Sequence, residues 1–295
     1  MQKGIIISNI SDLYHVELEN GKVYICNARG KFKEADIRPV AGDRVEIDIL
    51  DEQKATGVIA KIEDRVNETK RPKMANLTQI ILVLSMKLPK PDLELLDKQL
   101  TYCEHMKIKP IIVLNKIDLV DANVVENIKE IYKHIGYEVI ETNAKERVGI
   151  EQIKLHLKNN ITAFSGNSGV GKSTLINALF NKEITQEGVV SSKNKRGKNT
   201  TTQVNLYKID EDSYIADTPG FSTFDICEIK SEDLCHYFIE FIPYIEQCEF
   251  VGCSHIKEQN CGIKQAIKEG KISKERYERY CKIYLDIKEK EERKW

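Results

Sequence analysis

Residues 166–174 read GNSGVGKST, and Gly166, Gly171, Lys172 and Ser173 have the spacing G-x-x-x-x-G-K-[ST]. Glycines at these positions let the backbone wrap closely, so that its N–H groups point at phosphate oxygens. A helix starting at the lysine adds the positive end of its dipole, and the lysine adds a point charge for the β and γ phosphates. The serine hydroxyl is suited to hold Mg²⁺. The whole run Gly166, Asn167, Ser168, Gly169, Val170, Gly171, Lys172, Ser173 and Thr174 is therefore assigned to a nucleotide's phosphates.

A second acidic turn, Asp217-Thr218-Pro219-Gly220, ends the apolar run YIA about fifty residues further on. There Asp217 can hold the hydration shell of Mg²⁺, and the Gly220 N–H can approach a γ-phosphate. The base is read by NKID, residues 115–118, at the end of IIVL. A carboxylate at Asp118 accepts from the N1–H and exocyclic NH₂ of guanine, a donor pair that adenine lacks. Asn115 braces the loop and the base edge, and the Lys116 stem packs on the purine face. Asn143, Ala144 and Lys145 follow another apolar run and supply a backbone contact to the guanine O6. The order is unusual, because the base-reading motif precedes the phosphate loop. A sheet survives such a rotation when the original chain ends lie close together and the new cut falls elsewhere.

These motifs need strands to end on and helices to begin. Residues 1–70 alternate short apolar runs with turn signals, Glu-Asn-Gly at 19–21 among them, and this predicts a small OB-like β-barrel. Residues 71–225 alternate buried-strand patterns such as QIILVLSM and PIIVLNK with amphipathic helix patterns such as LELLDKQLTYCEHM. That alternation predicts an α/β nucleotide domain with a mainly parallel sheet. Residues 226–295 read as a helical domain surrounding a cysteine cluster. The chain is therefore expected to be multidomain: barrel, circularly permuted P-loop α/β domain, and zinc-binding helical domain.

In that last part Cys248, Cys253, His255 and Cys261 provide three thiolates and an imidazole, the donor set of a closed tetrahedral Zn²⁺ site. With four positions filled there is no room for a catalytic water, so one structural zinc per chain is expected. The other five of the eight cysteines are scattered, as in a protein of a reducing compartment. No run of eighteen apolar residues occurs, and a soluble cytoplasmic protein without a membrane partner is expected. Lysine plus arginine (45) nearly balances aspartate plus glutamate (46), so any nucleic-acid surface has to be local. Three basic clusters qualify, at 28–33, where Phe32 sits among Arg29, Lys31 and Lys33, at 193–198 and at 271–282, although short charge runs are commonly just solvated faces.

Taken together, VAGDRV, NKIDL, GNSGVGKSTLIN, GKNTTT, DTPGF and the spacing C-x4-C-x-H-x5-C resemble the circularly permuted, small-ribosomal-subunit-dependent GTPases of the RsgA or YjeQ family across essentially the whole chain. The resemblance implies a cytoplasmic enzyme that hydrolyses GTP slowly alone and faster on the small subunit, late in that subunit's assembly. The implied partners are the subunit with its rRNA and GTP or GDP, and the chain is expected to act as a monomer. By the same resemblance Thr201 is the switch threonine for Mg²⁺, alongside Ser173 and Asp217, with Thr200 and Thr202 as rivals. Two departures bear on hydrolysis. Phe221 stands where a Ras-like switch has its water-positioning glutamine, and Asn199 stands where the family has a histidine before the threonine run. Asparagine is no general base at neutral pH, but its amide can orient water, so Asn199 remains a candidate. The alternative is a nucleotide-gated RNA-binding factor in which hydrolysis only times release.

Overall fold

The computed structural model describes residues 1–30, 32, 37–180, 204–217 and 228–293. The alternating runs near the start form strands β1 (Gln2–Ile10), β2 (Leu13–Leu18), β3 (Val23–Ala28), β4 (Arg44–Asp51) and β5 (Thr56–Ile62). They pair in the order β1-β2-β3-β5-β4, and β4 returns to β1, from Gln2↔Ile47 to Ile5↔Arg44, which closes a five-stranded barrel. The expected hairpin joins β2 to β3. Its turn is held by the Lys22 N–H donating to Asn20 Oδ1 at 2.9 Å, with Gly21 at φ 79°. Strand β3 shows the two-residue period, since Tyr24 and Cys26 face the barrel core while Val23 and Ile25 face outward. Phe32 also lies in that core, so its ring is not an aromatic platform within the 28–33 basic cluster.

Further along come β6 (Glu68–Lys70), β7 (Lys73–Ala75), β8 (Gln79–Ser85), helix α1 (Leu93–Met106), β9 (Lys109–Asn115), α2 (Ala122–Ile135) and β10 (Glu138–Thr142). Then follow α3 (Ile150–Leu157), β11 (Ile161–Ser165), α4 (Lys172–Phe180), β12 (Asn205–Asp210) and β13 (Ser213–Asp217). The last part holds a 3₁₀ segment (Ser231–Tyr237) and helices α5 (Ile242–Ile245), α6 (Gly262–Lys268) and α7 (Lys274–Glu292). Local signals set the ends. Asp92 caps α1 by accepting from the Leu95 N–H at 2.9 Å, and α2 stops at Gly136, where φ is 109°. No helix among the described residues is long and apolar enough to cross a membrane.

The chain divides into two compact units, Met1–Ile81 with Ala144–Ser222, and Leu82–Asn143 with Thr223–Trp295. In the first, β11 and β13 run parallel, β12 pairs antiparallel with β13, and β12 meets β1 at Ser8↔Asn205. The barrel and the strands of the phosphate side are therefore hydrogen-bonded into one sheet. Within the nucleotide part the β9–β10 and β11–β13 pairs are parallel, as expected, and β12, joined to β13 by a tight turn at Glu211-Asp212, adds one antiparallel strand.

The VAGDRV segment explains itself within this unit. Buried Asp43 accepts from the Val40 N–H (2.8 Å) and from Arg65 Nε (2.7 Å) and Nη2 (2.8 Å), and Asn76 Nδ2 donates to Gly42 O. At Gly42 φ is +91°, and a Cβ would stand 2.0 Å from Ala75 O, so no other residue fits. The segment thus clamps the barrel to the strand pair β6–β7.

In the second unit β9 and β10 pair in parallel from Glu138↔Ile111 to Thr142↔Asn115. A buried ionic network joins α1 to the helical module. Asp97, fully buried, accepts from Arg276 Nη1 and Tyr132 OH on one oxygen and from Arg279 Nε on the other. Arg276, 1% exposed, also pairs with Glu240, and its guanidinium lies 4.7 Å from the Phe238 ring centroid. The 271–282 cluster is therefore not a uniform basic face, since its two arginines are consumed internally.

Candidate functional site

In the first unit β11 ends at Ser165 and α4 starts at Lys172, giving the strand–loop–helix context that the phosphate motif requires. Gly166, Gly169 and Gly171 have φ of 139°, 81° and 105°, values that side-chain-bearing residues rarely adopt. Lys172 Nζ reaches back over the loop to the carbonyls of Gly166 (2.6 Å) and Asn167 (2.9 Å). Burial lowers the pKa of this ammonium, so the loop holds a partly desolvated positive charge. Ser173 and Thr174 are exposed on the first turn of α4. At the end of β13, burial pushes the Asp217 carboxyl up to about 6, an acid that gains from a nearby cation. Ala144 and Lys145 also belong to this unit. Arg147, just beyond them, donates to Ala178 O at 2.9 Å and so anchors their loop to the last turn of α4.

The second unit carries NKID at the end of β9. Asn115 is buried, its backbone carbonyl accepts from the Met86 N–H (2.9 Å), and its side-chain Oδ1 accepts from Thr142 Oγ1 (3.0 Å). Lys116 takes φ 62°, its Nζ donates to Leu88 O, and exposed Asp118 sits in a single 3₁₀ turn, Ile117–Leu119. Asn143 is buried next to Thr142 at the end of β10. The phosphate loop and Asp217 thus belong to the first unit and NKID with Asn143 to the second, while Ala144 and Lys145 of the base-reading set fall in the first. Thr201, with its rivals Thr200 and Thr202, Asn199, Gly220, Phe221 and the 193–198 basic run lie outside the described residues.

Cys248, Cys253, His255 and Cys261 come together with their ligand atoms within 4.8 Å of one another. His255 Nδ1 lies 3.3 Å from Cys261 Sγ and 3.5 Å from Cys248 Sγ, and those two sulfurs are 3.9 Å apart. Tetrahedral bonds of ~2.3 Å to sulfur require edges of about 3.8 Å, so the donor set suits a zinc ion. Among the described residues His255 Nε2 is buried without a hydrogen-bond partner, which leaves Nδ1 as the nitrogen facing the sulfurs. Burial pushes the Cys253 thiol up to about 12; a divalent cation reverses that preference.

Sequence reasoning missed the support for this cluster. Glu258 accepts from the Ser254 N–H and hydroxyl and from the Ile256 and Lys257 N–H groups, at 2.9–3.1 Å. Tyr277 OH donates to His255 O at 2.7 Å. The acid three residues beyond the histidine was the available signal, since an Asx- or Glx-type loop anchor has that reach.

A family model described as RsgA GTPase matches residues 62–227, and one described as RsgA N-terminal domain matches residues 3–59. The chain belongs to the RsgA GTPase family. It is a GTPase, and hence a hydrolase, of the circularly permuted kind. A protein of Clostridium botulinum (strain Eklund 17B / Type B) named "Small ribosomal subunit biogenesis GTPase RsgA" is 45% identical over 99% of this chain and 100% of its own length. One of the same name from Clostridium perfringens (strain SM101 / Type A) is 43% identical, covering 97% and 98%. The crystal structure of YjeQ from Thermotoga maritima superposes with a TM-score of 0.84 at 36% identity, over 97% of this chain and 98% of that one. YloQ, described as a circularly permuted GTPase, gives 0.82 at 32% identity, over 98% and 96%. The expected barrel, permuted nucleotide fold and Cys/His-bearing helical part are therefore those of an RsgA GTPase.

Proposed function

We propose that this chain binds the small ribosomal subunit and hydrolyses GTP to GDP and phosphate during late assembly of that subunit, in the cytoplasm and as a monomer. What carries the reading is full-length similarity to proteins named for small ribosomal subunit biogenesis, in a chain that retains both the guanine-reading and the phosphate-reading motif. The working division is barrel 1–70, permuted GTPase domain 71–225 and zinc-binding helical domain 226–295.

In this scheme Asp118 accepts from the guanine N1–H and NH₂, Asn115 and Lys116 hold the base edge and face, and Asn143, Ala144 and Lys145 complete the base loop. The 166–174 backbone and Lys172 gather the phosphates, and Ser173, Asp217 and Thr201 hold Mg²⁺, whose chemistry is to neutralise charge building between the β and γ phosphates. The Gly220 N–H meets the γ-phosphate. Asn199 orients the attacking water as a hydrogen-bonding amide without acting as a base. Cys248, Cys253, His255 and Cys261 hold one zinc ion, which adds folding energy to that of the module's own apolar core around Phe238, Phe241, Ile263, Tyr280 and Ile283.

Contacts to rRNA phosphates fall to Lys282 on α7 and to Lys274 and Arg29, whose ion pairs with Glu278 and Asp48 lie at the surface, because Arg276 and Arg279 are engaged in buried pairs. The ionic network joins the helical module to α1 in the base-reading part. That linkage supports the reading that the module follows the nucleotide state. The test is steady-state phosphate release from GTP and ATP with and without purified small subunits. Stimulation by the subunit for GTP alone is expected; a GTPase indifferent to the subunit would remove the partner.

A further inference from the structure

We propose that Tyr277 and Tyr280 of α7 are positioning residues for the metal centre, acting through the main chain of His255; this rests on the ligand set Cys248, Cys253, His255 and Cys261 given above. The two tyrosines stand three residues apart and so share a face of the helix. Tyr280 OH donates to Ser254 O at 3.1 Å, and Tyr277 OH donates to His255 O at 2.7 Å. Those carbonyls belong to the peptide planes on either side of the His255 Cα, so the pair fixes both backbone torsions of the ligand. The torsions need fixing, because His255 takes φ 63°, a left-handed value that is uncommon for a residue with a side chain and persists only where the surroundings impose it.

Apart from the sulfurs, the imidazole has no hydrogen-bond partner among the described residues. A metal-bound histidine ordinarily gives its second ring nitrogen to a carboxylate or carbonyl, whereas His255 Nε2 is buried without one, so its aim has to come from the main chain. Nδ1, which faces Cys248 and Cys261, is also the nitrogen nearer the Cα, and the place of the Cα largely decides the place of this donor atom. Glu258 and Lys264 brace the rest of the loop, at the Ser254, Ile256 and Lys257 N–H groups and at the Ile256 and Glu258 carbonyls. The tyrosines add the tie to α7, itself held by the grip of Arg276 and Arg279 on Asp97. The Cys281 thiol also hydrogen-bonds with the Tyr277 hydroxyl, whose oxygen can accept from it while the hydroxyl proton goes to the carbonyl. Tyr280, 1% exposed, meets the Phe238 and Phe241 rings edge-on at 5.1 and 4.9 Å. Phenylalanine keeps that packing and loses only the hydroxyl, so the two roles are separable.

The experiment uses the zinc-loaded full chain carrying Tyr277→Phe, Tyr280→Phe, or Tyr284→Phe, the last removing a hydroxyl from the same helix where none bonds to the loop among the described residues. Zinc affinity is read by chelator competition, release by excess chelator, and ligand geometry from the absorption of the cobalt(II)-substituted protein. Hydrogen exchange in α1 and α7 follows folding. Tyr277→Phe and Tyr280→Phe should each take up one zinc, bind it about tenfold more weakly and release it about tenfold faster, the usual effect of losing a group behind metal ligands. The cobalt d–d bands should shift while the thiolate charge-transfer bands remain, since the three sulfurs keep their places. Protection in α1 and α7 should change less than twofold, and Tyr284→Phe should bind zinc as wild type does. Zinc affinity and cobalt d–d bands equal to wild type in both loop-facing variants would overturn the proposal. So would a Tyr284→Phe loss as large as theirs, or a fall in α1 and α7 protection as large as the fall in affinity. Unfolding of both loop-facing variants would overturn it too, by making the hydroxyls folding requirements. Failure of the underlying ligand reading looks different: wild type would hold no zinc, or Cys253→Ser would keep a full complement.

Discussion

Replacing Arg276 by methionine tests whether the α1–α7 joint is held by charge or by packing. The four groups Asp97, Glu240, Arg276 and Arg279 sum to zero, and Arg276 touches both carboxylates. Methionine fills much of the volume but leaves two carboxylates facing one guanidinium, with Glu240, 8% exposed at its side chain, deprived of its cation. Removing one partner of a buried pair costs about 3–5 kcal/mol, chiefly the penalty of the stranded charge.

Because the chain has two compact units, a single melting midpoint would mix their responses, and native-state hydrogen exchange by mass spectrometry is the better assay. Peptides from α1 and α7 should exchange roughly 10²–10⁴-fold faster, the kinetic equivalent of that energy. Those from β2, β3 and α4 should hardly change. Adding Glu240→Gln restores neutrality, Arg279 against Asp97, and should recover more than half of the loss. An Arg276→Met chain whose α1 and α7 peptides slow down, or speed up less than tenfold, would refute the argument, as would equal acceleration in both units.

Asp118→Asn should shift preference from guanosine toward xanthosine nucleotides, consistent with ~1.5–3 kcal/mol per charged hydrogen bond, as read by competition binding. Cys253→Ser should lose bound zinc, measured by metal analysis, and loosen residues 248–261 without abolishing GTP binding; a full metal complement would remove that cysteine from the ligand set. Glu258→Gln should keep the metal but release it to a chelator about tenfold faster, the usual effect of weakening the groups behind metal ligands. Gly42→Ala should destabilise the barrel by more than the ~1–2 kcal/mol of left-handed strain alone, because of the clash with Ala75 O; unchanged hydrogen exchange in the β1–β5 peptides would contradict it.

Motifs whose chemistry depends on local spacing were legible from the chain alone. The phosphate loop, NKID, the hairpin at Asn20-Gly21 and the cysteine–histidine set lie within short segments, where residue type and a few backbone torsions decide the outcome. The barrel and the alternation of strands and helices were legible for the same reason, since two- and 3.6-residue periods are written along the sequence. Tertiary structure alone decided what distant residues do to one another.

Arg276 and Arg279 read as members of a basic stripe until Asp97, nearly 180 positions earlier, proved to lie between them. Phe32 looked like a ring among cations and is a core residue of the barrel. The Thr142–Asn115 contact carried no sequence signal, because it comes from a parallel register that sets two strand ends side by side. The attachment of β12 to β1 was likewise invisible, as pairing between strands so far apart in sequence is a long-range choice that a one-dimensional period cannot encode. A charged or polar side chain advertises its chemistry in the sequence, but its partner, and so whether that chemistry faces solvent or is spent inside, is settled only when the chain packs.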